Sequence, residues 1–154
     1  MRVSVTHQED MKFKAQTAQS SFIIDCPVIS PVEYFLAGLI TCSATDMIVM
    51  PKKQGYEVSN LTVTGDVVRA QEHPRKFDTL HMTFSFDASA DNKLAARWVM
   101  ASLETYCSTV NTVRESVNIS YTIIYNGETI KENETMISGG GSGTEFGDIG
   151  GCPS

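Results

Sequence analysis

Apolar and polar positions divide the chain into short strand-like runs and two long helical stretches. Alternating or β-branched runs predict strands over residues 2–6, 11–15, 21–24, 58–68, 77–86 and 118–125. The dipeptide Asn126-Gly127 is typical of a tight hairpin turn. Gly65 stands alone inside its predicted strand, which indicates a β-bulge.

The first helix is predicted over residues 31–50. Ser30 is a suitable N-cap, and Glu33 stands at the capping-box position three residues later. Pro51 is expected to end or kink this helix. Its side chains are apolar nearly all round, so we expect it to be covered by a sheet or by another subunit.

A second helix is predicted from Asn92 to about Ser108, with Asp91 as its cap. The predicted order is therefore β-β-β-α-β-β-α-β, with a short link between strands 58–68 and 77–86. This order favours an α+β fold with a largely antiparallel sheet over a doubly wound fold.

The composition changes near the C-terminus. Residues 138–144 are almost entirely glycine and serine, and the remainder shows no periodicity. We expect one domain over residues 1–137 and a flexible tail over 138–154, which resembles a cloning scar or a disordered terminus. Cys152 lies in this tail, so we do not count it among the candidate functional cysteines.

Composition and charge narrow the class of protein. A chain of 154 residues with 42% apolar and 19% charged residues is typical of one globular domain. Its net charge of −6 argues against nucleic acid or an anionic membrane surface as partner. Polar residues interrupt the longest apolar stretch, and no apolar leader is visible, so we expect no membrane span and a cytoplasmic location.

Metal and cofactor motifs are not evident. The cysteines and histidines show no CxxC or HxxxH spacing, which argues against a zinc site. No glycine-rich phosphate loop or nucleophile elbow is found either. We therefore expect no metal and no cofactor.

Cys42 and Cys107 lie on the two predicted helices. Composition alone favours inert core thiols, because free cysteine is among the most buried residue types. A reactive thiol instead needs a nearby cation or hydrogen-bond donor, and a peroxide-reducing pair needs a second thiol to condense with the sulfenic acid. Both interpretations stay open on the residues alone.

Three segments resemble the OsmC/Ohr superfamily. Residues 30–46 resemble its first-cysteine helix, residues 104–110 its second-cysteine motif, and residues 69–77 the connection between its middle strands. The resemblance covers about residues 1–126 and is greatest to the YhfA-like branch. It implies an α+β intertwined homodimer, in which antiparallel sheets with strands from both subunits wrap around long central helices.

The resemblance also implies an activity. Cys42 would attack a peroxide oxygen, and Cys107 would resolve the sulfenic acid as a disulfide. A dithiol of the lipoyl or thioredoxin type would then regenerate the pair. The function implied is reduction of organic hydroperoxides or peroxide in oxidative stress defence.

The sequence departs from the family's pattern at one position. Hydroperoxide-reducing members carry a glutamate directly after the helix-opening proline, paired with an N-terminal arginine. Here that position is Val32, and Glu33 follows it as the candidate catalytic carboxylate. The residues expected to bind the substrate or activate the thiol are Arg2, Arg69, Arg75, Phe35 and Leu39.

Two other functions remain open. The first is a non-catalytic dimer that binds a small hydrophobic molecule at the subunit interface, with the cysteines lining the site. The second is a structural dimer with inert thiols.

Overall fold

The computed structural model describes residues 1–136 and 145–150. It contains two compact units, which divide the chain after Gly38. The predicted linker over residues 138–144 and Cys152 lie outside the described residues, so the predicted tail stays a prediction there.

The first unit contains a three-stranded antiparallel sheet. Its strands are β1 (Ser4–His7), β2 (Lys12–Gln16) and β3 (Ser21–Asp25), in the spatial order β1-β2-β3. The three short strands predicted from the alternating runs are confirmed. Large apolar side chains of this sheet, among them Phe22 and Ile23, are about half exposed within the single chain.

Helix α1 (Pro31–Lys53) begins at the predicted capping box. The Ser30 N–H donates to a Glu33 carboxylate oxygen at 2.8 Å, and the Glu33 N–H donates to the Ser30 hydroxyl at 3.3 Å. The reciprocal bonds satisfy donors that the first helical turn leaves without partners.

The predicted end of α1 at Pro51 is wrong, because the helix continues to Lys53, and the alternative of a kink at Pro51 stays a prediction. Proline removes only its own N–H bond, and here it stands in the last turn, where little helix remains to be disrupted. The Pro51 carbonyl accepts from Tyr56 N–H at 3.0 Å, and Gly55 ends the helix at φ +82°. That left-handed conformation favours glycine at this position.

Helix α1 is long and apolar enough to cross a membrane by length and composition. Buried core helices of soluble proteins meet the same criterion, so one such helix is not sufficient for a membrane span. Its polar side chains Ser43 and Asp46 are 0% and 1% exposed within the second unit.

The second unit contains a four-stranded sheet. Its strands are β4 (Ser59–Arg69), β5 (Phe77–Asp87), β6 (Asn118–Tyr125) and β7 (Glu128–Thr135), in that spatial order. The β5–β6 pair is parallel and the other pairs are antiparallel. The predicted α+β class with a largely antiparallel sheet is confirmed.

Two details of this sheet differ from expectation. Strand β7 was not predicted, because its residues are mostly charged or polar and show no apolar alternation. Gly65 is not at a bulge: it pairs regularly with Met82, and the irregularities lie at the two ends of β4. The predicted turn at Asn126-Gly127 does join β6 to β7, with φ values of +50° and +80°.

The crossover between β5 and β6 is not one continuous helix. Helix α2 (Asn92–Ala101) leads into a π-helical turn (Ser102–Tyr106), and α3 (Ser108–Val113) follows. Asp91 caps α2 as predicted, accepting from Leu94 N–H at 2.8 Å. Cys107 lies between the π-helical turn and α3 with extended backbone (φ −72°, ψ 101°). Its N–H donates to the Ser102 carbonyl five residues earlier, which widens the turn.

The core of the second unit lies between its sheet and α2. The apolar face predicted for β5 is confirmed, with Leu80, Met82 and Phe84 fully buried and Phe86 nearly so. Residues 145–150 also contact the α2 region: Glu145 pairs with Arg97 at 2.6 Å, and Phe146 N–H donates to the Tyr106 hydroxyl at 3.0 Å.

Candidate active site: a buried thiol pair

Cys42 and Cys107 belong to one buried cluster of the second unit. Cys42 lies in the middle of α1 and is 3% exposed, and Cys107 lies at the start of α3 and is 0% exposed. The Cys107 thiol lowers the pKa of Cys42 and Cys42 raises the pKa of Cys107, so the two thiols lie close enough for each to affect the ionisation of the other. The fold therefore brings together two cysteines that are far apart in the sequence.

Cys42 is surrounded by hydrogen-bond donors. Burial alone would raise its pKa, but the Thr109 N–H, the hydroxyls of Thr109 and Ser108, and the Cys107 thiol together lower the pKa to about 7. The Ser108 hydroxyl lies 3.7 Å from the Cys42 Sγ. Within the described part of the chain, none of the groups that lower this pKa is a cation.

The Thr109 hydroxyl has only one hydrogen to share among several neighbours. It donates to the Leu39 carbonyl at 2.9 Å, and it lies 3.3 Å from the Cys107 Sγ. A hydroxyl carries one donor and two acceptor sites, so in this arrangement Cys107 donates to Thr109 and Thr109 donates to Leu39. The Thr109 N–H and the Ser108 hydroxyl are then the donors best placed to stabilise the Cys42 thiolate.

Cys107 has the opposite electrostatic environment. Burial raises its pKa to about 11, and the nearby polar groups of Ser43, Thr109 and Val110 offset only part of that effect. At neutral pH, Cys42 is thus about half ionised while Cys107 stays protonated. This difference defines one nucleophilic thiol and one thiol that needs a proton acceptor before it can react.

A buried carboxyl completes the cluster. Asp46 is 1% exposed, and its Oδ2 accepts from the Ser102 hydroxyl at 2.8 Å. Burial raises the pKa of Asp46 to about 6, against the opposing effect of that hydrogen bond. The other carboxylate oxygen, Oδ1, has no hydrogen-bond partner in the described part, and neither does the Ser43 hydroxyl.

The residues predicted from the resemblance stand in different places. Glu33 in the first unit accepts two bonds from Ser30, which lower its pKa, so its carboxylate serves the helix cap. Arg69 donates to the Arg75 carbonyl at 2.9 Å in the β4–β5 connection, and both are exposed. Arg2 is exposed near the N-terminus. Their catalytic or binding roles stay predictions.

The two apolar candidates differ in exposure. Leu39 is 2% exposed, and its carbonyl accepts from Thr109 beside the thiols. Phe35 is about half exposed in the single chain. Contact of either side chain with a substrate stays a prediction.

Sequence reasoning missed Ser108, Thr109 and Asp46 as functional residues. Ser108 and Thr109 directly follow Cys107, and Asp46 is four residues after Cys42 on the same helical face. Their spacing from the two cysteines can be seen in the sequence. Their place near the thiols, however, depends on the contact between α1 and the start of α3. Within the described residues no group of three His, Cys, Asp or Glu side chains could hold a metal ion.

Comparison with known families identifies the class of protein. The model of the OsmC-like protein family matches residues 24–122, which is more than half of the chain. The chain therefore belongs to the OsmC-like family, and the resemblance inferred from the two cysteine motifs is confirmed. Assignment to the YhfA-like branch stays a prediction.

Solved structures with the same fold include three informative neighbours. An OsmC-like protein from Mycoplasma pneumoniae has a TM-score of 0.71 at 12% identity, covering 80% of this chain and 95% of that one. The organic hydroperoxide resistance protein OhrB of Bacillus subtilis has a TM-score of 0.53 at 18% identity, covering 80% and 98%.

The third neighbour is a putative organic hydroperoxide resistance protein from Vibrio cholerae with captopril bound in one of its active sites. Its TM-score is 0.57 at 14% identity, and the match covers 84% of this chain and 94% of that one. No curated protein matches this chain. The structural matches show the OsmC-like fold.

Proposed function

We propose that this protein is a cysteine-dependent peroxidase that reduces organic hydroperoxides or peroxide through Cys42 and Cys107. The observation that carries the proposal is the difference between the two thiols: the pKa of Cys42 is lowered to about 7, whereas that of its neighbour Cys107 is raised to about 11. A peroxidatic thiol must be a thiolate, and a resolving thiol must stay available until the sulfenic acid has formed.

In the first step, the Cys42 thiolate attacks one peroxide oxygen. A sulfur–oxygen bond forms, the oxygen–oxygen bond breaks, and the alcohol leaves after taking up a proton. At pH 7 a thiol with an ordinary pKa of 9.0 is about 1% ionised, against about half for Cys42. The donors around Cys42 therefore raise its thiolate fraction at neutral pH.

In the second step, the Cys107 sulfur attacks the Cys42 sulfenic acid. A disulfide forms and water leaves, and an external dithiol of the lipoyl or thioredoxin type then reduces the disulfide. Cys26, Cys42 and Cys107 are all free thiols in the structure. A reducing cytoplasm is the compartment in which such a cycle can be regenerated.

The proposed substrate class is supported by the names of similar structures and by the apolar residues near the thiol pair. Three of the similar structures are named as organic hydroperoxide resistance proteins, one of them as a putative one. The backbone groups of two buried apolar residues, Leu39 and Val110, bond to Thr109 and Cys107, and such apolar residues suit a hydroperoxide with a hydrocarbon substituent better than a charged one. We propose an organic hydroperoxide as the preferred substrate.

We also propose that the protein works as a homodimer. The 18-residue window of α1 that meets the membrane criterion is only 28% buried within the single chain, although the helix is strongly apolar. Ile48 on α1 and Val68 on β4 are exposed large apolar residues in the second unit. A second copy of the chain would cover such surface, and sedimentation equilibrium at micromolar concentration tests this assembly.

The activity is tested with tert-butyl hydroperoxide and dihydrolipoate. Wild type should consume the peroxide, Cys42→Ser should not, and Cys107→Ser should consume one equivalent and then stop with Cys42 oxidised. Cys26→Ser is the matched control, because Cys26 belongs to the first unit and the proposed cycle does not use it. Unchanged peroxide consumption by Cys42→Ser would overturn the proposal.

A non-catalytic ligand-binding function is the second candidate. It is favoured by the lack of a cation among the described groups that lower the pKa of Cys42. If wild type leaves the peroxide intact and a small hydrophobic molecule co-purifies with it, the binding function replaces the peroxidase.

A further inference from the structure

Residues 145–150, which we call the strap, are anchored on the second unit. Lys53, in the last turn of α1, donates to the Asp148 carbonyl, and the Ile149 side chain is only 4% exposed. Burial of a large apolar side chain favours the docked position of the strap over a solvated one. The Asp148 carboxylate accepts from the Gly150 N–H at 2.8 Å, so it shapes the strap rather than its docking.

The other end of the strap contacts the π-helical turn (Ser102–Tyr106). The Phe146 N–H donates to the Tyr106 hydroxyl at 3.0 Å, and the centroids of the two rings lie 6.4 Å apart at an interplanar angle of 52°. Tyr106 directly precedes Cys107 in the chain. The strap therefore holds the residue next to the proposed resolving thiol.

Arg97 connects the strap to the same turn by a second route. Its guanidinium pairs with Glu145 of the strap at 2.6 Å and with Glu104 of the turn at 3.3 Å. The Arg97 side chain is 32% exposed, and a partly exposed ion pair contributes little by itself. This bridge therefore acts together with the Tyr106 contacts and the buried Ile149.

Cys107 is enclosed by the turn that the strap contacts. Its side chain is 0% exposed, and its N–H donates to the Ser102 carbonyl at 2.8 Å. The rate at which a dithiol reduces a disulfide depends on access to the sulfur that it attacks. Buried groups become accessible by local opening of the elements that enclose them, and contacts to those elements oppose the opening.

From these contacts we propose that the strap holds the π-helical turn closed and so limits the access of a reductant to Cys107. Undocking of the strap breaks its contacts to Arg97 and Tyr106 and leaves the turn free to open. Every one of these contacts lies within the second unit of a single chain. Docking of the strap is independent of the peroxidase function, but its effect on regeneration of the thiol pair rests on that proposed function.

The first test follows labelling of Cys107 in the full-length chain. The background protein keeps Cys107 as its only thiol, with the other three cysteines replaced: Cys26→Ser, Cys42→Ser and Cys152→Ser. Ile149→Ser removes the buried anchor of the strap, and Glu145→Lys places a second cation against Arg97. Each variant should react with 4,4′-dithiodipyridine about tenfold faster than the background protein.

Two substitutions outside the strap are the matched controls. Glu132→Lys makes the same change of charge at an exposed position of β7, and Val28→Ser makes a similar apolar-to-polar change at a residue that is 73% exposed. Both controls should label at the background rate. A background rate in either strap variant, Ile149→Ser or Glu145→Lys, would overturn the proposal.

Amide hydrogen exchange separates opening of the turn from a general loss of stability. In Ile149→Ser, the Cys107 amide, which is bonded to the Ser102 carbonyl, should exchange about tenfold faster than in the background protein. The amide of Phe84, in the buried part of β5, should exchange at an unchanged rate. Equal acceleration at both amides would show that the strap acts on global stability, and would overturn the proposal.

A reduction assay measures the effect on the thiol cycle. The Cys42–Cys107 disulfide is formed with diamide in a protein that retains both cysteines, and dihydrolipoate should reduce it about tenfold faster in Ile149→Ser. Equal reduction rates would overturn the limit on reductant access. If wild type consumes no peroxide, the peroxidase function fails, but faster labelling and reduction in the strap variants still support the strap.

Discussion

The Sγ of Cys42 lies 3.7 Å from the hydroxyl of Ser108, which α3 contributes 66 residues later in the chain. Cys107 is the N-cap of α3, and its thiol neighbours Cys42. The residue proposed to resolve the sulfenic acid therefore also positions Ser108, whose hydroxyl can donate to the Cys42 thiolate. In this arrangement, hydroxyl and backbone N–H donors lower the pKa of Cys42, and a contribution from an arginine stays a prediction.

Ser108→Ala should raise the pKa of Cys42 above its value of about 7. A hydrogen bond to a charged group contributes about 1.5 kcal/mol, which corresponds to about one pKa unit. The pH dependence of alkylation by iodoacetamide, measured in a Cys26→Ser, Cys152→Ser background, gives this pKa. Ser116→Ala is the matched control, since the exposed Ser116 hydroxyl donates to the Val113 carbonyl, away from the thiols. An unchanged midpoint in Ser108→Ala would contradict the role of this hydroxyl.

Thr109→Val should destabilise the protein, because it leaves the Leu39 carbonyl without its donor. The expected loss in the free energy of unfolding is about 1–2 kcal/mol, measured by urea denaturation. Thr109→Ser keeps the hydroxyl and should recover most of the loss. If Thr109→Ser is as unstable as Thr109→Val, methyl packing rather than the hydrogen bond accounts for the effect.

Asp46→Asn should stabilise the protein at neutral pH. Burial raises the pKa of Asp46 from 3.8 to about 6, so the folded state favours the protonated carboxyl and carries a penalty when it ionises. The penalty is absent below about pH 4, grows between the two pKa values, and reaches about 3 kcal/mol above pH 6.

Urea denaturation of wild type and Asp46→Asn at pH 4 and pH 7.5 measures this difference. The variant should gain stability only at the higher pH, by up to about 3 kcal/mol. Asp66→Asn, on the exposed side of β4, is the matched control and should show no comparable gain. An equal difference at both pH values would show that ionisation of Asp46 is not its cause.

Ser30→Ala should lower the thermal midpoint, because it removes the hydroxyl that accepts from Glu33 N–H and donates to its carboxylate. Glu33→Gln should also lower the midpoint, but less, since an amide oxygen can still accept from Ser30. Peroxide consumption by Glu33→Gln decides whether the carboxylate has a second role. A large loss of activity with an unchanged midpoint would support the catalytic role predicted from the resemblance.

Local patterns in the sequence were sufficient to predict most of the helices and strands. The Ser30/Glu33 capping box, the alternation of β5 and the Asn126-Gly127 turn each involve residues close in the chain, so their signals are complete in a short window. Strand β7 carries no such signal, because a mostly polar edge strand is specified by its pairing with β6.

The sequence by itself determined the α+β class, the family and the two cysteines, because these depend on local periodicity and on motifs of a few residues. Only the tertiary structure decided what stabilises the Cys42 thiolate. The extended backbone at Cys107 interrupts the helix and places Ser108 and the Thr109 N–H near Cys42. Hydrogen bonds outweigh burial at Cys42 and lower its pKa, whereas burial dominates at Cys107 and raises its pKa. Burial and donor geometry arise from residues far apart in the chain, so no window of sequence contains them.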